Sequence, residues 1–246
     1  MHFQLLRHAT AVISIKETNL LLDPMLSPKG AMGPIANVAN QNRIPMVDLP
    51  LTEAELQRLI DRLNGVLVTH VHRDHWDARA QELLPQQLPV ICQAEDEPAM
   101  RRAGFVQVHP VKTKIEWQGI QIFRTGGQHG TGEIGRKMGI VSGYVLKAGG
   151  EPPLYIAGDT IWCSEVKEAL LTYKPEVIII YSGAAVFLTG GPITMNADHV
   201  VAVAREIPSA KVIVIHMETM THCLLTRAEL RKRLELEGLS RQVNIP

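Results

Sequence analysis

The sequence predicts a layered α/β (α+β) fold, and three observations carry that expectation. Short apolar runs of strand character alternate with amphipathic helical segments along the chain. The alternation is cleanest in the last third, from Ser164 to Glu237. Hydrophobic residues make up 46% of the 246 positions but aromatics only 4%, so Leu, Ile, Val and Ala must fill the core. A chain of this length can form one domain, 1–246, and needs no disulfide staples.

The first strands are expected at 12–16 and 19–23, joined by a polar turn. Residues 24–50 are rich in Pro, Gly, Asn and Met and show no periodicity, so they read as a long loop, either disordered or functional as a wall or lid over the site. A helix follows. Thr52 and Glu55 have capping-box spacing. Leu56, Leu59, Ile60 and Leu63 share one face, and Asn64-Gly65 supplies the stop. The apolar run 66–69 reads as a buried strand that delivers the chain to His70. Further strands are expected at 90–92, 106–108, 112–117 and 120–124, then a Gly-rich loop at 126–139, then strands at 139–147 and 154–157. Helices at 164–172, 197–206 and 227–237 alternate with strands at 177–181 and 211–215. Asn196 and the Thr226/Glu229 pair cap the last two helices.

Lys plus Arg (25) equals Asp plus Glu (25), which gives no electrostatic reason to expect nucleic acid as an obligate partner. Three widely spaced cysteines, Cys92, Cys163 and Cys223, read as reduced thiols of a cytoplasmic protein. The start of the chain shows no secretory signal, and runs such as 177–181 are too short to span a bilayer.

The chemistry concentrates in His70-Val71-His72-Arg73-Asp74-His75. Four imidazole or carboxylate groups, the donors that zinc and its first-row neighbours take, fall within six positions after a buried strand. At a strand end residues i and i+2 point the same way, so His70 and His72 can share one ion. A turn then lets Asp74 and His75 face a second. Asp77 is a candidate cap for the helix that follows. Each later candidate also follows a strand: His129 among the glycines of 126–130, Asp159 in Gly158-Asp159-Thr160, and His216 after 212–215. Singly, each could equally be structural. Four repetitions of strand followed by metal-type residue argue for one shared site.

The run at 70–75, then His129, Gly158-Asp159-Thr160 and His216 together resemble the metallo-β-lactamase superfamily, from about His8 to Cys223. The resemblance implies a four-layer αββα sandwich with the site at one edge of the two sheets. It implies two divalent ions, one on His70, His72 and His129, the other on Asp74, His75 and His216, with Asp159 bridging. Zinc is the expected metal, with manganese and iron as alternatives. Six segments are similar to the ascorbate-6-phosphate lactonase-like branch: His8-Ala9-Thr10, 21–24, the 70–75 run, 191–195, His216-Met217-Glu218 and Thr221-His222-Cys223.

The expected activity is hydrolysis of a small ester, lactone or phosphorylated metabolite by a hydroxide bridging the two ions. Asp74 would orient or deprotonate the water, and His222 would contact substrate or move a proton. Asp23, before Pro24, is a candidate acceptor for the second N–H of a ligand histidine, with a plain turn role as the alternative. His8 is a further candidate for substrate contact or proton transfer. Arg43, Arg136 and Lys137 are candidates for neutralising an anionic substrate, a solvated role being the alternative. His109 and His199 read as structural.

Alternative functions on the same site are a phosphodiesterase or nuclease, a redox di-iron protein, and a metal-binding protein without turnover. Neutral charge argues against the nuclease. His72 argues against the di-iron branch, which carries Glu at that position. The expected partner is a small molecule, with a homo-oligomer compatible and neither an obligate nucleic acid nor a membrane.

Overall fold

Three apolar layers organise the chain, and they exist because its strands carry hydrophobic residues on both faces. The computed structural model describes residues 1–246. The first sheet holds β1 (His2–Arg7), β2 (Thr10–Ile15), β3 (Thr18–Leu22), β4 (Gly65–Val68), β5 (Val90–Gln93) and β6 (Val108–Val111), side by side in that order. The second holds β7 (Lys114–Trp117), β8 (Ile120–Thr125), β9 (Gly143–Lys147), β10 (Leu154–Ile156), β11 (Val177–Tyr181), β12 (Lys211–Ile215) and β13 (Val243–Asn244), again in chain order. Each sheet begins antiparallel and turns parallel. The change falls at β3 in the first and at β10 in the second.

Parallel neighbours need crossovers, and helices supply most of them. They are α1 (Glu53–Ile60), α2 (Ala78–Leu83) and α3 (Glu97–Arg102) on the first sheet. A short α4 (Gly132–Met138) joins β8 to β9. On the second sheet follow α5 (Ser164–Tyr173), α6 (Ala197–Glu206) and α7 (Arg227–Leu236).

Between the sheets, Ile13, Leu20, Leu22, Leu67 and Ile91 meet Ile122, Tyr144, Leu146, Ile156 and Ile179. Outside the first sheet, Leu21, Val66, Val68 and Val90 pack against Leu56, Ile60 and Met100. Outside the second, Val145, Ile178, Ile180, Val212 and Val214 pack against Leu170, Val203 and Leu230. The layers are therefore α, β, β, α. Each buried aliphatic side chain contributes about 1.5–3 kcal/mol relative to exposure.

The caps read from sequence form as expected. Thr52/Glu55 and Thr226/Glu229 close capping boxes, Asn196 caps α6, and Asp77 caps α2. His199 completes the Asn196 box, so its ring serves the helix end. Several expectations change. β1, an edge strand with an irregular register before Arg7, is added ahead of 12–16. The Gly-rich loop 126–139 contains α4, which has no fully buried residue and carries Gly132 and Gly135, so no apolar face announces it. The strand expected from 139 begins at Gly143. The strand expected at 106–108 instead begins at Val108.

The long 24–50 loop has few backbone partners of its own, and three arginines supply them. Arg7 donates to the carbonyls of Met25, Ser27 and Val47. Arg43 donates to Gly30 and Ala31, and Arg73 to Gly33 and Pro34. The Met25 and Ser27 carbonyls are buried and need such partners, while the Arg43 and Arg73 bonds hold the loop at its exposed side, so it keeps a fixed course. Its Met25 and Ile44 enter a small apolar cluster with Ala185, Ile193, Met220 and Cys223. No helix is long and apolar enough to cross a membrane.

Candidate metal centre

Strand ends at one edge of the two sheets bring the chemistry together. β1 ends before His8, β3 before Asp23, β4 before Thr69 and His70, β10 shortly before Asp159, and β12 before His216. The backbone is strained at three of these exits. His8 (φ 59), Asp23 (φ 40) and His216 (φ 69) all take the left-handed conformation that side chains disfavour. Such strain costs on the order of 1–3 kcal/mol per residue and gathers at functional sites. Gly158 (φ 70) precedes Asp159; a Cβ there would lie 2.6 Å from the Ser142 carbonyl oxygen, so only glycine fits the turn.

The donors fall into overlapping groups whose ligand atoms lie within 4.8 Å of one another. One is His70, His72 and His129. Another is His8, Asp74, His75 and His216. A third, His70, His75 and Asp159, lies across the two. Asp159 Oδ2 is 3.4 Å from both His75 Nε2 and His129 Nε2, and Oδ1 is 3.2 Å from His216 Nε2. Asp74 Oδ2 is 3.6 Å from His75 Nε2 and from His216 Nε2. All seven residues expected to bind metal are thus brought together, and all are buried except His72, which is intermediate.

Hydrogen bonds behind the rings fix which nitrogens face inward. His129 Nδ1 donates to the Ile193 carbonyl at 2.7 Å, which leaves Nε2 as the free lone pair. His75 Nδ1 donates to Asp23 Oδ2 at 2.9 Å, so its Nε2 also faces the centre. Thr69 Oγ1 donates to Asp23 Oδ2 at 2.8 Å and lies 3.1 Å from His70 Nδ1, so it accepts from that ring. The Thr69 backbone N–H donates to Asp23 Oδ1 at 2.7 Å, and Tyr181 OH donates to Oδ2 at 2.7 Å. Asp23 therefore steadies His75 directly and His70 through Thr69.

The charges call for a cation. Burial disfavours the ionised forms of Asp74 and Asp159, yet the histidines around them hold both carboxyls well below their ordinary range. Burial also opposes a charge on His75, but Asp159, Asp74 and Asp23 together outweigh it and hold its pKa well above the usual value. A cationic His75 ring thus stands beside the Asp74 and Asp159 carboxylates. Burial lowers His70 and His129, which stay neutral with lone pairs available. His129 Nε2 and Asp159 Oδ1 are buried without a hydrogen-bond partner. Neutral imidazoles, ionised carboxylates and unpartnered inward atoms are the donor set that a divalent ion of the zinc, manganese or iron type takes, so the residues present fit metal.

The centre opens into a cavity of about 200 Å³ lined by Ile35, His72, Arg73, Asp74, His129, Met138, Asp159, Phe187, Met220 and His222. His222 thus reaches the cavity, whereas His8 lies behind it. Arg136 and Lys137 are exposed on α4 outside this lining, and Lys137 pairs with Glu133. Arg43 is also outside it, its guanidinium held by loop carbonyls. None of these three lines the cavity. Sequence reasoning missed Tyr181, whose ring stacks on His75 and His216 at 5.8 and 5.6 Å, and the apolar wall of Ile35, Met138, Phe187 and Met220. The signal for Tyr181 was a hydroxyl at the end of an otherwise aliphatic strand.

Asp23→Asn is expected to weaken ion binding about 10- to 100-fold, the usual scale for a group that orients a ligand histidine. Competition with a chelator measures it, and unchanged affinity would remove Asp23 from the centre.

Comparison with known proteins agrees with this geometry. A model of the β-lactamase superfamily domain matches residues 18–217. The UPF0173 protein YddR of Bacillus subtilis is 33% identical over 100% of this chain and 97% of its own. A possible metal-dependent hydrolase from Veillonella parvula superposes with TM-score 0.95 at 34% identity, over 99% of this chain and 95% of that one. An isothiocyanate hydrolase from Delia radicum gut bacteria gives TM-score 0.93 at 34% identity with the same coverage. A sandwich of two mixed sheets, a buried His/Asp cluster at their shared edge and these matches have one reading: the chain belongs to the β-lactamase superfamily and, within it, to the UPF0173 metal-dependent hydrolases.

Proposed function

We propose that the protein hydrolyses a small, uncharged electrophile at a centre of two divalent ions. His70, His72 and His129 hold one, Asp74, His75 and His216 the other, and Asp159 lies between them. The observation that carries this reading is a buried donor cluster opening into a small cavity with an apolar wall. When bound, the ions would supply the positive charge that makes water nucleophilic near neutral pH and polarises the bond under attack. Zinc suits the donors, as do manganese and iron.

Asp74 is ionised and borders the cavity, so it orients the attacking water and accepts its proton. His222 is held down to about 4, chiefly by burial, and is neutral at physiological pH. It offers the substrate a hydrogen bond without a charge.

The lining favours an uncharged substrate. Arg73 is its one cationic residue, and that guanidinium donates to the carbonyls of Gly33 and Pro34. Ile35, Met138, Phe187 and Met220 suit an apolar substituent. An isothiocyanate, the substrate class in the name of the relative from Delia radicum gut bacteria, meets both conditions. Water adds its oxygen to the central carbon and a proton to nitrogen, and the resulting thiocarbamate divides into an amine and carbonyl sulfide. Esters and lactones offer a similar electrophilic carbon and form the second reading, supported by the segments shared with the lactonase-like branch. Phosphorylated substrates rank last, because the lining has no free cation for them.

The test is ion content together with turnover of an alkyl isothiocyanate, a lactone, a phosphorylated sugar lactone and bis-nitrophenyl phosphate. Two ions per chain and isothiocyanate turnover are expected, with Asp74→Ala lowering turnover at least about 100-fold and leaving the circular dichroism spectrum unchanged. Turnover of the phosphodiester alone would replace this reading with the nuclease one. No ion under any loading condition would overturn it.

A further inference from the structure

His8 is buried behind the second donor group and does not line the cavity. It follows β1 in a left-handed turn (φ 59) that leads into β2. Its Nε2 is 3.2 Å from Asp74 Oδ2, and its ring centroid is 3.6 Å from that of His216. Its carbonyl accepts the backbone N–H of His216 at 2.9 Å. Its other ring nitrogen, Nδ1, is buried without any partner. By position alone His8 could be a fourth donor to the second ion, since its ligand atom lies within 4.8 Å of those of Asp74, His75 and His216.

The unpartnered Nδ1 decides between the two roles. Genuinely orphaned buried N–H groups are rarer than under-satisfied acceptors. The single proton of a neutral imidazole therefore belongs on Nε2, where Asp74 Oδ2 accepts it, and Nδ1 carries the bare lone pair. A nitrogen that donates to a carboxylate has no lone pair left for an ion. We infer that His8 is a positioning residue rather than a ligand: its Nε2–H holds the Asp74 carboxylate so that Oδ2 faces His75 and His216. The inference rests on the two-ion centre proposed above. Ligating carboxylates are themselves commonly held by hydrogen bonds, and losing such a bond typically weakens metal binding 10- to 100-fold. The close, tilted His216 ring and the shared backbone hydrogen bond tie the same turn to a second member of that group, so the strained conformation of His8 is held from two sides.

Zinc titration against a competing chelator tests this without any substrate. His8→Leu fills the ring's space but cannot donate; it is expected to weaken the second zinc about 10- to 100-fold and leave the first unchanged. His8→Gln carries an N–H at nearly the reach of Nε2 and is expected to restore most of that affinity. In an Asp74→Ala background, which has no acceptor, His8→Leu is expected to add no further loss, because its action runs through the carboxylate. If melting shows that His8→Leu does not fold, His8→Asn replaces it. Asn tolerates the left-handed backbone and is too short to reach Asp74, so the same loss is expected.

Wild-type affinity in the Leu variant would reduce His8 to packing. An equal loss in the Gln variant, or a further loss in the Asp74→Ala background, would make it a ligand. Either result overturns the inference. Fewer than two zinc ions on the wild-type protein would count against the two-ion centre itself, so the two failures are distinguishable.

Discussion

Asp159→Ala is expected to lower turnover by about 1000-fold or more, a loss at the upper end of what removing one preorganised electrostatic group produces, and to strip at least one ion from the protein. Asp159 is the carboxylate that touches both donor groups, with Oδ2 toward His75 and His129 and Oδ1 toward His216. No other side chain in the centre spans them in that way. In the proposed two-ion centre, its loss would remove a ligand from each ion and leave the two sites coupled only through neighbouring rings. The fold should survive. Asp159 lies in the turn after β10, outside the hydrophobic clusters, and its side-chain neighbours are the site histidines. Removing it also lowers the proton affinity of His75, which can then lose its charge rather than unfold the chain. Ion content by mass spectrometry, turnover at saturating zinc and a melting curve together check the expectation. A variant that keeps two ions and wild-type turnover would show that Asp159 is not shared between them.

How much of this was legible follows from what each feature depends on. The strands and most helices announce themselves because apolar residues on both strand faces and a stripe on each helix leave a periodic trace, as in 66–69 and in Leu56, Leu59 and Ile60. The seven candidate ligands are legible for a different reason: few residue types bind metal, and here each follows a strand. α4 left no such trace, since none of its residues is fully buried. The cavity wall was hidden because Ile35, Met138, Phe187 and Met220 come from four separate stretches of chain. Nothing local relates them, and only the course of the loops brings them together. Arg43 shows the converse. Its charge in a functional loop invites a substrate role, but the loop lacks a ladder of its own and its carbonyls at Gly30 and Ala31 take the guanidinium instead. Backbone demand of that kind cannot be read before the path of the loop is known.

Metal-free protein is expected to lose stability on both sides of neutrality, most steeply in acid. Burial holds His8 down at about 3 and His222 at about 4, and lowers His70 and His129 as well. In the unfolded chain each would titrate near about 6.5. Between those values the unfolded state binds protons that the native state refuses, so stability falls as the pH falls. Each such histidine adds a slope of up to about 1.4 kcal/mol per pH unit. Slopes of that size are steep against the whole stability of a typical domain, about 5–15 kcal/mol. On the alkaline side His75 reverses the sign. Its raised pKa, set by Asp159, Asp74 and Asp23 against burial, contributes stability that is full below the unfolded value and is lost as pH rises through the folded one. The depressed carboxyls of Asp74 and Asp159 contribute throughout this window and lose their share only as pH falls through their folded values, below it. Zinc should remove the alkaline limb, because a ligand nitrogen must give up its proton and the ion then supplies the positive charge among the carboxylates. Urea unfolding at pH 5, 6.5 and 8, with and without zinc, reads all of this. A metal-free profile that stays flat from pH 7 to 5 would mean that the buried histidines are not held neutral, and would undo the account of the centre as a preformed set of lone pairs.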